Sequence, residues 1–153
     1  PVDRRQRQMC IRDRIKVTGN CHCGKIQVSG KVSEDMVIAC HCTDCQQFSG
    51  APFRPVAIIK NEDINIDGEV TEYTKIADSG NERVQGFCGN CGCQIYARAT
   101  DKSVFNVRTG FLDQHHTLTP KKHIFGQSKV AWIETISEAK WHVAGPESNK
   151  MKP

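Results

Sequence analysis

Eight of the nine cysteines fall into three short knuckles: Cys21-His22-Cys23, Cys40-His41-Cys42-Thr43-Asp44-Cys45 and Cys88-Gly89-Asn90-Cys91-Gly92-Cys93. A single residue between two cysteines puts both sulfurs on one side of a turn, and two residues between them is the usual zinc-knuckle spacing. The same closeness strains a disulfide within a pair, which needs a dihedral near a right angle and about 5.5 Å between Cα atoms. The chain is therefore expected to fold around metal rather than around disulfides. Its 38% hydrophobic and 7% aromatic content describes a modest core, one that gains from such staples.

No apolar run is long enough to span a membrane, and no signal peptide with an apolar centre opens the sequence. Nine cysteines without a secretion signal point to a reducing compartment, and the cytoplasm is the expected location. The first fourteen residues differ from the rest: Arg4, Arg5, Arg7, Arg12 and Arg14 crowd a stretch with no apolar periodicity. Met9-Cys10-Ile11-Arg12-Asp13-Arg14 is what ATG TGT ATA AGA GAC AGR encodes, a string resembling the transposase end sequence used in preparing sequencing libraries. Residues 1–14 are accordingly read as a non-native leader rather than a basic arm for nucleic acid. Five arginines against two aspartates give the leader +3, so the remainder carries only +1 of the total +4. Binding two Zn²⁺ through seven thiolates takes that remainder to −2, and no basic footprint for nucleic acid survives.

From Ile15 onward the pattern is one of short strands. Lys25–Ser29 alternates polar and apolar; Met36–Ala39 runs apolar into the second knuckle; Val56–Ile59 reads as a strand buried on both faces. Further strands are expected at Ile64–Ile66, Val70–Ile76, Glu82–Phe87, Gln94–Arg98 and Val104–Thr109, with turns at Gly68-Glu69, Asp78-Ser79-Gly80 and Thr100-Asp101-Lys102. One short helical turn, capped by Thr43 and ended by Gly50, follows the second knuckle. Residues 113–123 read as a polar, His-rich surface loop, and 146–153 as a frayed tail. The expectation is an all-β single domain over residues 15–145, with the knuckles at strand ends.

A structural zinc takes four protein ligands, whereas a catalytic one keeps a position open. One partition closes a site from Cys21, Cys23, Cys88 and Cys91 and leaves Cys40, Cys42 and Cys45 on a second, open ion. The other closes the second ion too, with Cys93 or the His41 ring. Spacing does not choose between them. Charge does constrain the chemistry, since three thiolates on Zn²⁺ make a site of −1. Such a site polarises water weakly and suits a soft thiol as its fourth ligand. Thiol-adduct chemistry on a small electrophilic carbon is expected, in preference to hydrolysis.

The runs Gly19-Asn20-Cys21-His22-Cys23-Gly24, Cys40-His41-Cys42-Thr43-Asp44-Cys45-Gln46 with Ser49-Gly50-Ala51-Pro52, and Phe87-Cys88-Gly89-Asn90-Cys91-Gly92 resemble the glutathione-dependent formaldehyde-activating enzyme family, which includes centromere protein V. Arg108-Thr109-Gly110-Phe111-Leu112-Asp113, with the later Pro120, Ser128 and Trp132, resembles the carboxy-terminal half of its short bacterial members. The resemblance implies a β-tent-like fold of short antiparallel strands with two zinc ions. It implies a structural ion on Cys21, Cys23, Cys88 and Cys91, and a catalytic ion on Cys40, Cys42 and Cys45. It further implies carbon–sulfur lyase chemistry that joins glutathione to formaldehyde as S-hydroxymethylglutathione. The sequence departs from the pattern at Cys93, where a small residue, often Ser, is expected.

Around the second knuckle, Gln46 and Ser49 are candidates for substrate contact, with a cap on the helical turn as the competing role. Arg54, Arg83 and Arg108 are candidates to receive the carboxylates of a peptide-like thiol. His22 and His41 are expected to face solvent or cover metal; His115, His116 and His123 are assigned no ligand role. Trp132 and Trp141 are expected in the core or an interface. Against the enzyme stands a non-enzymatic two-zinc interaction module, in which Cys93 closes the second site.

Overall fold

The computed structural model describes residues 14–77 and 79–152; residues 1–13 of the expected leader and Asp78 of the expected turn lie outside the described residues. Arg14, the last residue of the expected leader, is described and opens a strand. Ten strands and one α-helix follow in the order β1 (Arg14–Asn20), β2 (Gln27–Ser33), β3 (Val37–Cys40), α1 (Thr43–Ser49), β4 (Arg54–Lys60), β5 (Ile64–Asp67), β6 (Thr71–Ile76), β7 (Glu82–Phe87), β8 (Gln94–Ala99), β9 (Val104–Arg108) and β10 (Lys122–Ile124). The all-β expectation holds. Short 3₁₀ turns fill several connections, including Thr109–Phe111 and the longer Ala131–Glu138.

The strands form two sheets, one ordered β1-β2-β5 and a larger one ordered β10-β3-β4-β9-β8-β7-β6. All pairings are antiparallel except β10 with β3. The core lies where the two sheets meet: Val17, Val28 and Val32 from the small sheet join Ala57, Ile59, Phe105 and Val107 from the large one, with Phe111 and Leu112. Successive side chains of a strand point to opposite faces. In β4, Ala57 and Ile59 enter the core while Arg54 and Val56 face the other side of the sheet. That second face is also buried, which accounts for the unbroken apolar run Val56–Ile59.

Three sequence expectations change. The loop expected over 113–123 ends in β10, whose residues Lys122, His123 and Ile124 pair with Ile38, Ala39 and Cys40. Three residues with one apolar side chain carry no strand signal of their own; the exposed edge of β3 supplies the template. The segment expected to fray closes on itself through a bridge between His142 and Lys150, and the Met151 N–H donates to the Trp141 carbonyl at 2.8 Å. Trp132 and Trp141 are about half exposed, 53% and 50%, rather than part of this chain's core.

Candidate metal centre and the cavity beside it

The first sulfur cluster forms where the two sheets come to an end together. Cys21 and Cys23 follow β1 of the small sheet, and Cys88 and Cys91 follow β7 of the large one. Their four sulfurs lie within 4.8 Å of one another. Cys21 and Cys23 are 3.6 Å apart at sulfur, and Cys23 and Cys88 are 3.7 Å apart. A tetrahedral ion with Zn–S of about 2.3 Å sets its sulfurs about 3.8 Å apart, so the cluster fits a zinc ion. A glycine N–H closes each of the turns that present these sulfurs. Gly24 N–H donates to the Cys21 carbonyl at 2.9 Å, and Gly92 N–H to the Cys88 carbonyl at 2.8 Å. Gly92 has φ of 77°, a backbone that a β-carbon disfavours. Hydrogen bonding, chiefly from Asn90, lowers the Cys23 thiol to about 6, favouring the thiolate a metal needs.

The second cluster is local. Cys40 ends β3, and Cys42 and Cys45 flank the first turn of α1; the three sulfurs again lie within 4.8 Å of one another. The helix cap is Cys42 rather than the expected Thr43: its sulfur accepts the Cys45 N–H at 3.3 Å. Gly50 ends the helix as expected, at φ of 63°. Hydrogen bonding with Cys45 pushes the Cys40 thiol down, while that same hydrogen bond and burial push Cys45 up. Among the described residues no fourth side chain joins this group. None of the eight knuckle cysteines is disulfide-bonded.

Beside the three sulfurs opens a cavity of about 280 Å³ on the outer face of the large sheet. Ile38, Val56, Ala97 and Ile124 form its apolar walls, and Arg54, Arg83 and Arg108 project into it. Arg54 sits directly opposite Cys40 in the β3–β4 ladder. Arg54 and Arg108 are 7% and 6% exposed, and the Nε atom of each is buried without a hydrogen-bond partner. Desolvation, reinforced by the Arg54 charge, lowers Arg108 to about 9 and lowers Arg83 as well. Three cations line one cavity, and Arg54 and Arg108 each keep a buried donor without an acceptor, an arrangement that suits an anion.

The family model for glutathione-dependent formaldehyde-activating enzyme matches residues 16–128, and so takes in both sulfur clusters and the cavity. The chain belongs to this family. A similar protein by sequence is an uncharacterized lyase of Schizosaccharomyces pombe, 29% identical over 83 residues, which are 54% of this chain and 58% of that one. The chain thus matches little more than half the length of that curated relative. A Rhodobacter sphaeroides crystal structure shares the fold with a TM-score of 0.54 at 18% identity, over 69% of this chain and 98% of that one.

Within this family member, the sequence-derived residues divide. The seven cysteines come together in two groups, and Arg54, Arg83 and Arg108 line one cavity. Gln46 and Ser49 do not line it. The Gln46 amide donates to the carbonyls of His41 and Ser128, both at 2.9 Å, and the Ser49 hydroxyl donates to the Cys45 carbonyl at 2.6 Å. Cys93 belongs to neither sulfur group; burial raises its thiol, and the neighbouring sulfurs of Cys91, Cys21 and Cys23 push the same way. It therefore stands beside the first cluster and not the second. His22 is exposed, while His41 is buried with its Nε2 2.8 Å from His123 Nδ1 and its ring 5.0 Å from Phe53. Neither His41 nor His123 joins the sulfurs. Gln85, between the arginines, was not legible as a site residue in the sequence.

Proposed function

We propose that the chain is a zinc-dependent carbon–sulfur lyase-type enzyme that makes or breaks the adduct of a small thiol such as glutathione with a small aldehyde such as formaldehyde. The observation that carries this reading is a three-sulfur cluster, without a fourth side chain, at the edge of an arginine-lined cavity. Cys21, Cys23, Cys88 and Cys91 would hold a structural ion, and Cys40, Cys42 and Cys45 a catalytic one. Zinc bound to these three would supply a soft Lewis acid that accepts a thiol and lowers its pKa. The chain's own residues do the rest. Arg54, Arg83 and Arg108 receive carboxylates of the thiol substrate, which aims its sulfur toward Cys40, the cross-strand neighbour of Arg54. The walls of Ile38, Val56 and Ile124 exclude water from the reacting carbon. In the forward direction a sulfur–carbon bond forms, the carbonyl π pair moves to oxygen, and the proton lost by the thiol ends on the new hydroxyl. The reverse step returns that proton and expels the thiolate.

Family membership and the lyase name of the fission-yeast relative support the reaction class. No helix among the described residues is long and apolar enough to cross a membrane; we place the enzyme in the cytoplasm, acting on small molecules rather than nucleic acid. The test mixes zinc-loaded protein with glutathione and ¹³C-formaldehyde and follows adduct formation by NMR. Acceleration over the spontaneous rate, lost in Cys42→Ser with the fold retained, is expected. No acceleration with any of a panel of small thiols and aldehydes would overturn the proposal.

A further inference from the structure

Three guanidinium groups share the cavity, yet among the described residues no carboxylate forms an ion pair with any of them. A buried cation ordinarily has an anionic partner. Apart from the Cys40 and Cys45 sulfurs at the cavity edge, whose charge acts on Arg108, the partner here is a neutral amide. Gln85 Oε1 accepts from Arg54 Nη1 at 3.1 Å and from Arg108 Nη2 at 2.9 Å. Gln85 is itself 5% exposed. It stands on β7 opposite Ala97 on β8, which stands opposite Asn106 on β9. The amide can therefore reach over a single methyl group toward the arginine of β9. A glutamate has the same length and would fill the same place. It would also cancel one of the positive charges, and a glutamine does not.

We infer that Gln85 is a specificity-determining residue: it fixes Arg54 and Arg108 through one neutral oxygen and so reserves their charge for a carboxylate-bearing substrate, against uncharged thiols. The buried, unpartnered Nε atoms of the two arginines mark donors that such a carboxylate would satisfy. Burial, with the Arg54 charge beside it, lowers the affinity of Arg108 for its proton, and an anion in the cavity would raise it again. This inference deepens the thiol-adduct reading and rests on it for the place where substrate sits. Gln85 is a positioning residue, acting through the two arginines.

The test is calorimetric binding of S-methylglutathione, which has both carboxylates but no free thiol, against its diethyl ester, using the zinc-loaded full chain. Wild type should bind the acid at least about tenfold more tightly than the ester. Gln85→Glu should weaken the acid by about tenfold or more, because a fixed negative charge a few ångströms from the ligand carboxylate repels it in a medium far less polar than water. The ester should change less than twofold. Gln85→Met, neutral and tolerated at a buried position, guards against a folding defect; it should weaken the acid several-fold and spare the ester. Equal affinity of wild type for acid and ester, or undiminished binding of the acid by Gln85→Glu, would overturn the inference. Absence of adduct formation alongside an intact acid preference would sink the lyase reading and support this one. Equal adduct rates with glutathione and its diethyl ester would overturn this one alone.

Discussion

Replacing one sulfur outside the core in each cluster should separate a staple from a workplace. Cys23 is exposed and Cys42 half-buried, so neither substitution to Ser opens a cavity in the core. The two clusters differ in what they tie together. Cys23 and Cys88 meet across 65 positions and join the small sheet to the large one, whereas Cys42 and Cys45 are three apart within a single turn. Loop closure scales as (3/2)RT ln n, so the ratio of the two spans is worth about 2.7 kcal/mol of extra stabilisation by the first ion. For a chain of this length that is roughly 5–11 °C in Tm. Thermal unfolding of the zinc-loaded proteins, with ions counted by native mass spectrometry, measures it. Cys23→Ser should lose one ion and melt lower than Cys42→Ser by that margin, while Cys42→Ser should lose one ion and the adduct-forming activity. Equal melting temperatures with one ion lost from each would refute the division into structural and catalytic centres.

Three further outcomes can be checked. Glu72 Oε2 accepts from Arg98 Nη2 at 2.7 Å, from Arg98 Nε at 2.9 Å and from the Tyr96 hydroxyl at 2.9 Å. With the Arg98 side chain 8% exposed and that of Glu72 33%, Glu72→Gln should cost about 2–3 kcal/mol in urea denaturation, less than a fully buried pair because water reaches the carboxylate. Burial first, and then Glu72, raise Tyr96 from 10.0 to about 12. A tyrosine whose folded pKa is raised contributes stability that is complete below the unfolded value and is lost as pH climbs from there through the folded value. The fall in wild-type stability between about pH 10 and 12 should therefore flatten in Tyr96→Phe, read from denaturation series across that window. Cys93→Ser should leave two ions bound and thiol binding unchanged, because its sulfur lies outside both groups; loss of an ion would make Cys93 a ligand.

The parts of this protein that were legible in the sequence are those set by local spacing. Knuckle cysteines one and two residues apart must converge, and the alternation in Lys25–Ser29 and the apolar run Val56–Ile59 announced strands that the structure contains. What was not legible depends on remote neighbours. The three residues of β10 become a strand only because β3 offers its edge. The capping role of Cys42 required knowing that a sulfur could take the place of a hydroxyl at the head of α1. The arginines were named from charge alone, but Gln85 carries no charge, follows no motif and acquires its importance from β4 and β9, strands far away in the chain. Gln46 and Ser49 illustrate the opposite error, since nearness to a ligand in sequence placed their polar atoms against backbone.

The large sheet is shared property: along β4 and β9, Ala57, Ile59, Phe105 and Val107 belong to the hydrophobic interior while Arg54, Val56, Asn106 and Arg108 between them belong to the binding chamber. Insertion or deletion of one residue there would invert the whole row, driving guanidinium groups into the oily layer and leaving aliphatic chains to greet the ligand. Changes in ligand preference are thus confined to exchanging side chains in place, and loops at the strand ends are where length can vary without turning the protein inside out.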